Sequence, residues 1–205
     1  SVAAQWAPAH ASRVRRTPPV GAWFDRDVDP TTRLVTVDDA AELARLQREH
    51  RDFLAPWEPL RPEEYFTAEG QRIQIAANLE RHARGECEPR VVLDERGAVV
   101  GQVTLHAIVR GALQSSTLGY WLSPTVGGRG LATRAVADVV RLAFDDLGLH
   151  RLEAGTLIHN VRSQRVLEKN GFVRFGLAPR LLRIAGQWQD HVLFQLLNDD
   201  WREPA

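Results

Sequence analysis

The sequence predicts an α/β domain built around a mixed, mostly antiparallel sheet. Three observations carry that reading. Segments with strand and helix periodicity follow the order strand, helices, three strands, helix, strand, helix, two strands. The turn Asp94-Glu95-Arg96-Gly97 joins two strand-like runs as a hairpin. A glycine-rich stretch at 126–132, VGGRGLA, stands between a strand and a long amphipathic helix.

Residues 1–30 are rich in Ala, Pro, Arg and Trp without periodicity. They read as an arm that Trp6, Trp23 and Phe24 could anchor on a domain spanning 31–205. Thr32–Val37 alternates as a first strand. Asp38 or Asp39 then caps a helix whose apolar face is Ala41, Leu43, Ala44 and Leu46. The three prolines of 53–62 exclude regular helix there. A second helix is expected from about Ala68 to Arg84, with Ile73, Ala76, Ala77 and Leu79 inward and Gly85 at its end. After the hairpin, Ser116–Ser123 reads as a strand stopped by Pro124. The helix from about Ala132 to Leu147 buries Ala135, Val136, Val139, Leu142 and Ala143, and Gly148 sits where a C′ glycine belongs. His150–Thr156 is a strand, Val161–Lys169 a short helix capped by Asn160, and Leu181–Ile184 and Asp190–Leu197 a closing hairpin across Gly186.

A chain of 205 residues fits one domain. Its 26 basic residues are balanced by 26 acidic ones, which argues against a general nucleic-acid binder. Cys87 is the only cysteine, so no intrachain disulfide forms and a reducing compartment suits the chain. No apolar run approaches a membrane span, and the N-terminal stretch lacks the apolar core of a secretory signal. The expected location is the cytoplasm. The seven histidines lack a partner at ligand spacing, so no metal site is indicated.

The glycine turn carries the chemistry. The first N–H groups of a helix have no intrahelical partners and hold the positive end of its dipole. Gly127, Gly128 and Gly130 remove the Cβ atoms that would keep an anion away, and Arg129 adds a charge. Such a site suits a pyrophosphate, although a glycine-rich turn can also be purely structural. The Lys-Ser/Thr of a P-loop and the spaced glycines of a dinucleotide fold are missing.

Gly128–Ala132 resembles the second half of the GNAT acetyltransferase pyrophosphate motif, Q/R-x-x-G-x-G/A, with Gly127 where the family has Gln or Arg. Four further segments are similar to the RimJ/RimL-type ribosomal-protein alanine N-acetyltransferases of that superfamily: FLAPWEP at 53–59, LGYWLSP at 118–124, HNVRSQRVLEKNGF at 159–172 and GQWQDHVLF at 186–194. The resemblance runs from about residue 32 to 201. It implies a single GNAT domain with a splayed central strand, acetyl-CoA as co-substrate, and direct transfer to a primary amine in a ternary complex.

By that resemblance, the glycine turn with Leu131, Ala132 and Thr133 holds the pyrophosphate. Backbone groups of Trp121, Leu122 and Ser123 meet the pantetheine arm, as an added strand would. Asn160 is an N-cap and, by resemblance, also bonds that arm. Ser163 is placed to stabilise or protonate the departing thiolate, or is simply a first-turn helix serine. Glu58 is the first candidate for general base, with His106 and His191 as alternatives. Phe53, Trp57, Glu58, Tyr120 and His191 would border the acceptor.

The favoured acceptor is the N-terminal α-amine of a ribosomal protein. A small amine of antibiotic or aminonucleoside type is the alternative on the same fold, and a non-catalytic acyl-CoA-binding module the rival from another class. A homodimer is compatible with the sequence. Covalent catalysis through Cys87 is not expected, because it falls between helix and strand away from the cleft.

Overall fold

The computed structural model describes residues 31–203, so the arm at 1–30 lies outside the described residues. The chain runs β1 (Thr32–Leu34), α1 (Ala40–Glu49), α2 (Arg51–Leu54), α3 (Ala68–Ala83), β2 (Glu88–Leu93), β3 (Val99–Val109) and β4 (Ser115–Leu122). It continues through α4 (Leu131–Arg141), β5 (Arg151–Leu157), α5 (Val161–Lys169), β6 (Val173–Ile184) and β7 (Gln187–Leu197). All seven strands form one sheet in the order β1-β2-β3-β4-β5-β7-β6. Only β4 and β5 are parallel; the other neighbours are antiparallel.

Each face of the sheet carries its own core. The stripe Leu131, Ala135, Val136, Val139 and Val140 of α4 packs with Leu167 of α5 against Val103, Leu105, Leu118, Leu152 and Phe194. On the opposite face Leu43 and Leu46 of α1 and Ile75 of α3 cover Val91 and Val99, with Trp121 at the margin. The pleat explains the division, because neighbouring residues of one strand point to opposite faces.

Four expectations need correction. The first strand ends at Leu34; Asp39 does stand at the N-cap of α1, but its carboxylate makes no capping bond to that helix, and Thr36 caps the 3-10 turn that leads into it. Asp39 instead takes two hydrogen bonds from Arg33, at 2.6 and 2.7 Å, and one from the Thr36 N–H at 2.8 Å. In α3 Ile73 and Ala77 face solvent, and the buried positions are Gln71 and Ile75. Gln71 is accommodated inside because its side-chain amide donates to the Tyr65 carbonyl at 2.7 Å. The third concerns the glycine-initiated helix, which does not stay α to Leu147: α4 stops at Arg141 and the chain widens into a π turn over Leu142–Asp146. The closing hairpin is the fourth, being much longer than its alternation suggests, with irregularities after Arg174 and Ala178 that break the period of two in β6.

Candidate active site

β4 and β5 are paired over three residues only, Ser115, Ser116 and Thr117 against Arg151, Leu152 and Glu153. Beyond them β4 stays with β3 as far as Leu122, and β5 stays with β7 as far as Leu157, but the two strands part from each other. A bulge in β3 between His106 and Val109, with Ala107 at φ 49°, increases the twist beside the vertex. The result is a wedge inside the sheet with a free strand edge on each side.

The alternation of backbone direction decides which groups of β4 line that wedge. The Ser123 N–H donates to the Val100 carbonyl at 2.8 Å. In an antiparallel strand every second residue points the same way. Trp121 and Ser123 therefore turn their peptide groups toward β3, and Tyr120 and Leu122 turn theirs to the wedge. Of Trp121, Leu122 and Ser123, the set expected from the sequence, only Leu122 turns its peptide groups to the wedge. The Ser123 hydroxyl is occupied as well, contacting His50 Nε2 at 2.8 Å and Thr125 Oγ1 at 2.7 Å.

At the mouth of the wedge a short turn at Pro124–Val126 leads into the glycines. Gly128 and Gly130 have φ of 79° and 76°, and the exposed turn delivers the chain into α4 at Leu131. The first backbone bond of α4 runs from the Arg134 N–H to the Gly130 carbonyl at 3.1 Å. The N–H groups of Leu131, Ala132 and Thr133 thus precede the helical ladder. At Gly127 a Cβ would lie 3.1 Å from the Pro124 carbonyl oxygen, so the tight turn favours glycine over a longer residue. Beside the turn lies a cleft of about 380 Å³, where Arg129 and Arg134 face Asp94, Glu95 and Arg96 of the β2–β3 turn. Arg96 and Arg134 were not foreseen, since only the folded hairpin brings them to the glycines.

Along the wall formed by α5, the Asn160 side chain caps the helix by accepting from the Ser163 N–H at 3.1 Å. The Gln164 amide ties the preceding bend to the carbonyls of Leu157 and Ile158. Ser163 is half-buried, and its hydroxyl lies 2.8 Å from the Tyr120 hydroxyl of β4. Burial pushes the Tyr120 phenol up to about 12, with the Ser163 hydrogen bond opposing it. Thr156, on β5 past the parting, is 5% exposed, and its hydroxyl has no hydrogen-bond partner among the described residues. The sequence offers no signal for it beyond strand propensity.

The proline-rich loop closes the other side. The Ala185 N–H donates to the Glu58 carbonyl at 2.9 Å, and Trp57 packs on His159 with ring centroids 5.4 Å apart. These two contacts fix Glu58 between the terminal hairpin and the β5–α5 bend. Burial raises the Glu58 carboxyl above the ordinary carboxylate range, while the Arg61 charge pulls it back. Phe53 (40% exposed), Leu60 (73%) and Trp188 (62%) leave this rim open and apolar.

The remaining candidates sit elsewhere. His191 is 3% exposed, with Nδ1 3.0 Å from the Gln189 carbonyl and its ring beside Gly155, so it belongs to the sheet interior and not to the rim. His106, exposed on β3, pairs opposite Thr117 at the closed end of the wedge. Cys87 is buried just before β2, which lies two strands away from β4, and its thiol is raised by burial. Among the described residues no group of three His, Cys, Asp or Glu side chains gathers to hold a metal ion, and no helix is long and apolar enough to cross a membrane.

A transferase that uses an acyl-CoA needs a strand edge for an amide-bearing arm and a cradle for a pyrophosphate. The parted sheet has such a free edge and the glycine turn such a row of unpaired N–H groups, the two features that this class requires. The chain belongs to the GNAT acetyltransferase family: the model described as the acetyltransferase (GNAT) domain matches residues 31–173. Its fold and relatives make it an acetyl-CoA-dependent N-acetyltransferase. It is 42% identical over 171 residues to the Bacillus subtilis protein named probable N-acetyltransferase YjcK, covering 82% of this chain and 93% of the relative. To the [ribosomal protein uS5]-alanine N-acetyltransferase of Escherichia coli it is 34% identical over 170 residues, covering 82% and 88%. Among solved structures it is similar to Mycobacterium smegmatis RimJ in complex with CoA-disulfide, at 30% identity and a TM-score of 0.79 over 84% of this chain and 83% of that one.

Proposed function

We propose that residues 31–205 form one catalytic domain that acetylates the N-terminal α-amine of a ribosomal protein in the cytoplasm. The observation that carries this reading is the wedge between β4 and β5, with the glycine turn at its mouth, Ser163 on one wall and Glu58 held between the terminal hairpin and the β5–α5 bend. Similarity to the uS5-alanine enzyme supports the class of acceptor. The open rim of Phe53, Leu60 and Trp188 supports a peptide over a fully enclosed small molecule.

The residues present fit acetyl-CoA. The N–H groups of Leu131, Ala132 and Thr133, with those of the turn 127–130, would hold the pyrophosphate, and Arg96, Arg129 and Arg134 attract its charge. The backbone of Tyr120 and Leu122 and the free amide N–H₂ of Asn160 would bond the pantetheine arm. Bound there, the co-substrate supplies an acetyl thioester. Glu58 takes the proton of the acceptor ammonium, directly or through water, and a carboxyl raised by burial suits that task. Ser163 would donate a hydrogen bond to the departing sulfur as the C–N bond forms and the C–S bond breaks.

The test is incubation with acetyl-CoA and a panel of Ala- and Ser-starting peptides and small amines, following CoA release and product mass. A peptide gaining one acetyl group at its α-amine is the expected result. Acetylation of small amines alone would replace the ribosomal-protein reading with the small-molecule one.

Glu58→Gln gives a second check. Turnover with the peptide is expected to fall about 100-fold, and the ascending limb of its pH profile should disappear. In the parent enzyme that limb should lie above the usual carboxylate pKa, because burial disfavours the charged form. A carboxyl raised on folding costs stability as pH rises from its unfolded pKa to its folded one, and the cost is complete above the latter, so the glutamine variant should melt no lower than the parent at pH 7.5.

A further inference from the structure

The contact between Tyr120 and Ser163 joins two elements 43 residues apart and spans one wall of the wedge. The phenol has one proton and two acceptors within reach, the Ser163 hydroxyl at 2.8 Å and the Ser163 carbonyl at 3.2 Å. That carbonyl lies in the first turn of α5, where the helical ladder already assigns it the N–H four residues on. The hydroxyl is therefore the better acceptor in both distance and unused capacity.

The direction of this bond matters. A serine hydroxyl has a single proton. If Ser163 donates to the phenol, that proton points across the wall and nothing is left for the sulfur. If the phenol donates, the serine proton is free to turn into the wedge. A phenol that stays protonated throughout the working pH range can hold the second arrangement continuously.

We propose that Tyr120 is a positioning residue for Ser163: by donating its phenolic proton to the serine oxygen, it aims the serine's own proton at the departing sulfur. This rests on the assignment of Ser163 to the leaving group given above. Neither hydroxyl is consumed. The C–S bond breaks as the C–N bond forms, the amine proton leaves through Glu58 or water, and the sulfur departs as a hydrogen-bonded thiolate. Tyr120 was expected at the acceptor groove, and this gives it a role through Ser163 instead.

The experiment is a double-mutant cycle on the full chain with Tyr120→Phe, Ser163→Ala and the combined variant, using acetyl-CoA and whichever amine of the panel turns over. Tyr120→Phe keeps the ring, so acetyl-CoA affinity by calorimetry and the melting temperature serve as controls for packing. The expected result is a kcat about 10-fold lower in Tyr120→Phe, with KM for acetyl-CoA within about 2-fold. In the Ser163→Ala background the phenylalanine should cost nothing further, because its effect passes through the missing hydroxyl. If the two losses multiply while Ser163→Ala alone is slow, the positioning role is overturned and the Ser163 assignment stands. If Ser163→Ala alone keeps full kcat, the assignment of Ser163 fails and takes the proposal with it.

Discussion

Ser163→Ala is expected to lower kcat by about 100-fold, the low end of what general acid–base or charge-stabilising groups contribute. The prediction can be made sharply because the backbone of this residue is held independently of its hydroxyl. Asn160 accepts from the Ser163 N–H and not from the side chain, so the cap of α5 survives the change. Alanine also favours the helix more than serine does. Acetyl-CoA binding by calorimetry and the melting temperature should therefore stay near the parent values while single-turnover acetylation slows. Loss of co-substrate affinity by the same factor would show that Ser163 binds and does not act on the leaving group.

The second large effect is on stability. Gly101 lies opposite Leu122 at the end of the β3–β4 pair, and a Cβ there would come 2.3 Å from the Trp121 carbonyl oxygen and 2.8 Å from the Leu122 Cα. Both are backbone atoms that cannot swing aside as a side-chain tip would. Gly101→Ala should cost about 3 kcal/mol through overpacking, which lowers the melting temperature by roughly 6–12 °C in a protein of this size. Relief of the clash pushes β4 toward the wedge, so KM for acetyl-CoA should rise together with the loss of stability. A variant that melts like the parent would show that the sheet end yields more easily than its geometry indicates.

What the sequence revealed follows the range over which each feature is determined. The glycine turn, the Asn160 cap and the hairpin at Asp94–Gly97 depend on a few consecutive residues, and all lie where local chemistry puts them. The parting of β4 from β5 was legible only by resemblance. No residue in either strand forbids pairing, so the strands themselves give no sign of where it stops. Tyr120–Ser163 and the Arg96–Arg134 cleft depend on tertiary approach and leave no periodic trace. The misread face of α3 has another cause. Hydropathy counts Gln71 as a surface residue, yet its amide finds the Tyr65 carbonyl and is buried at no loss of hydrogen bonding.

The wedge has one more consequence. A β-sheet normally keeps its unpaired edges at its outer borders, where another chain can add to them and begin aggregation. Here two such edges lie in the interior, facing each other. Because three residue pairs close the vertex, an intruding strand would find no continuous register to extend past Thr117 and Glu153. The loop pinned at Glu58 and Trp57 stands over the other approach. Unpaired backbone is in this way kept inside the sheet, where a slender ligand can reach it but a second strand cannot extend the pairing, so the opening carries little of the hazard that an exposed sheet border brings.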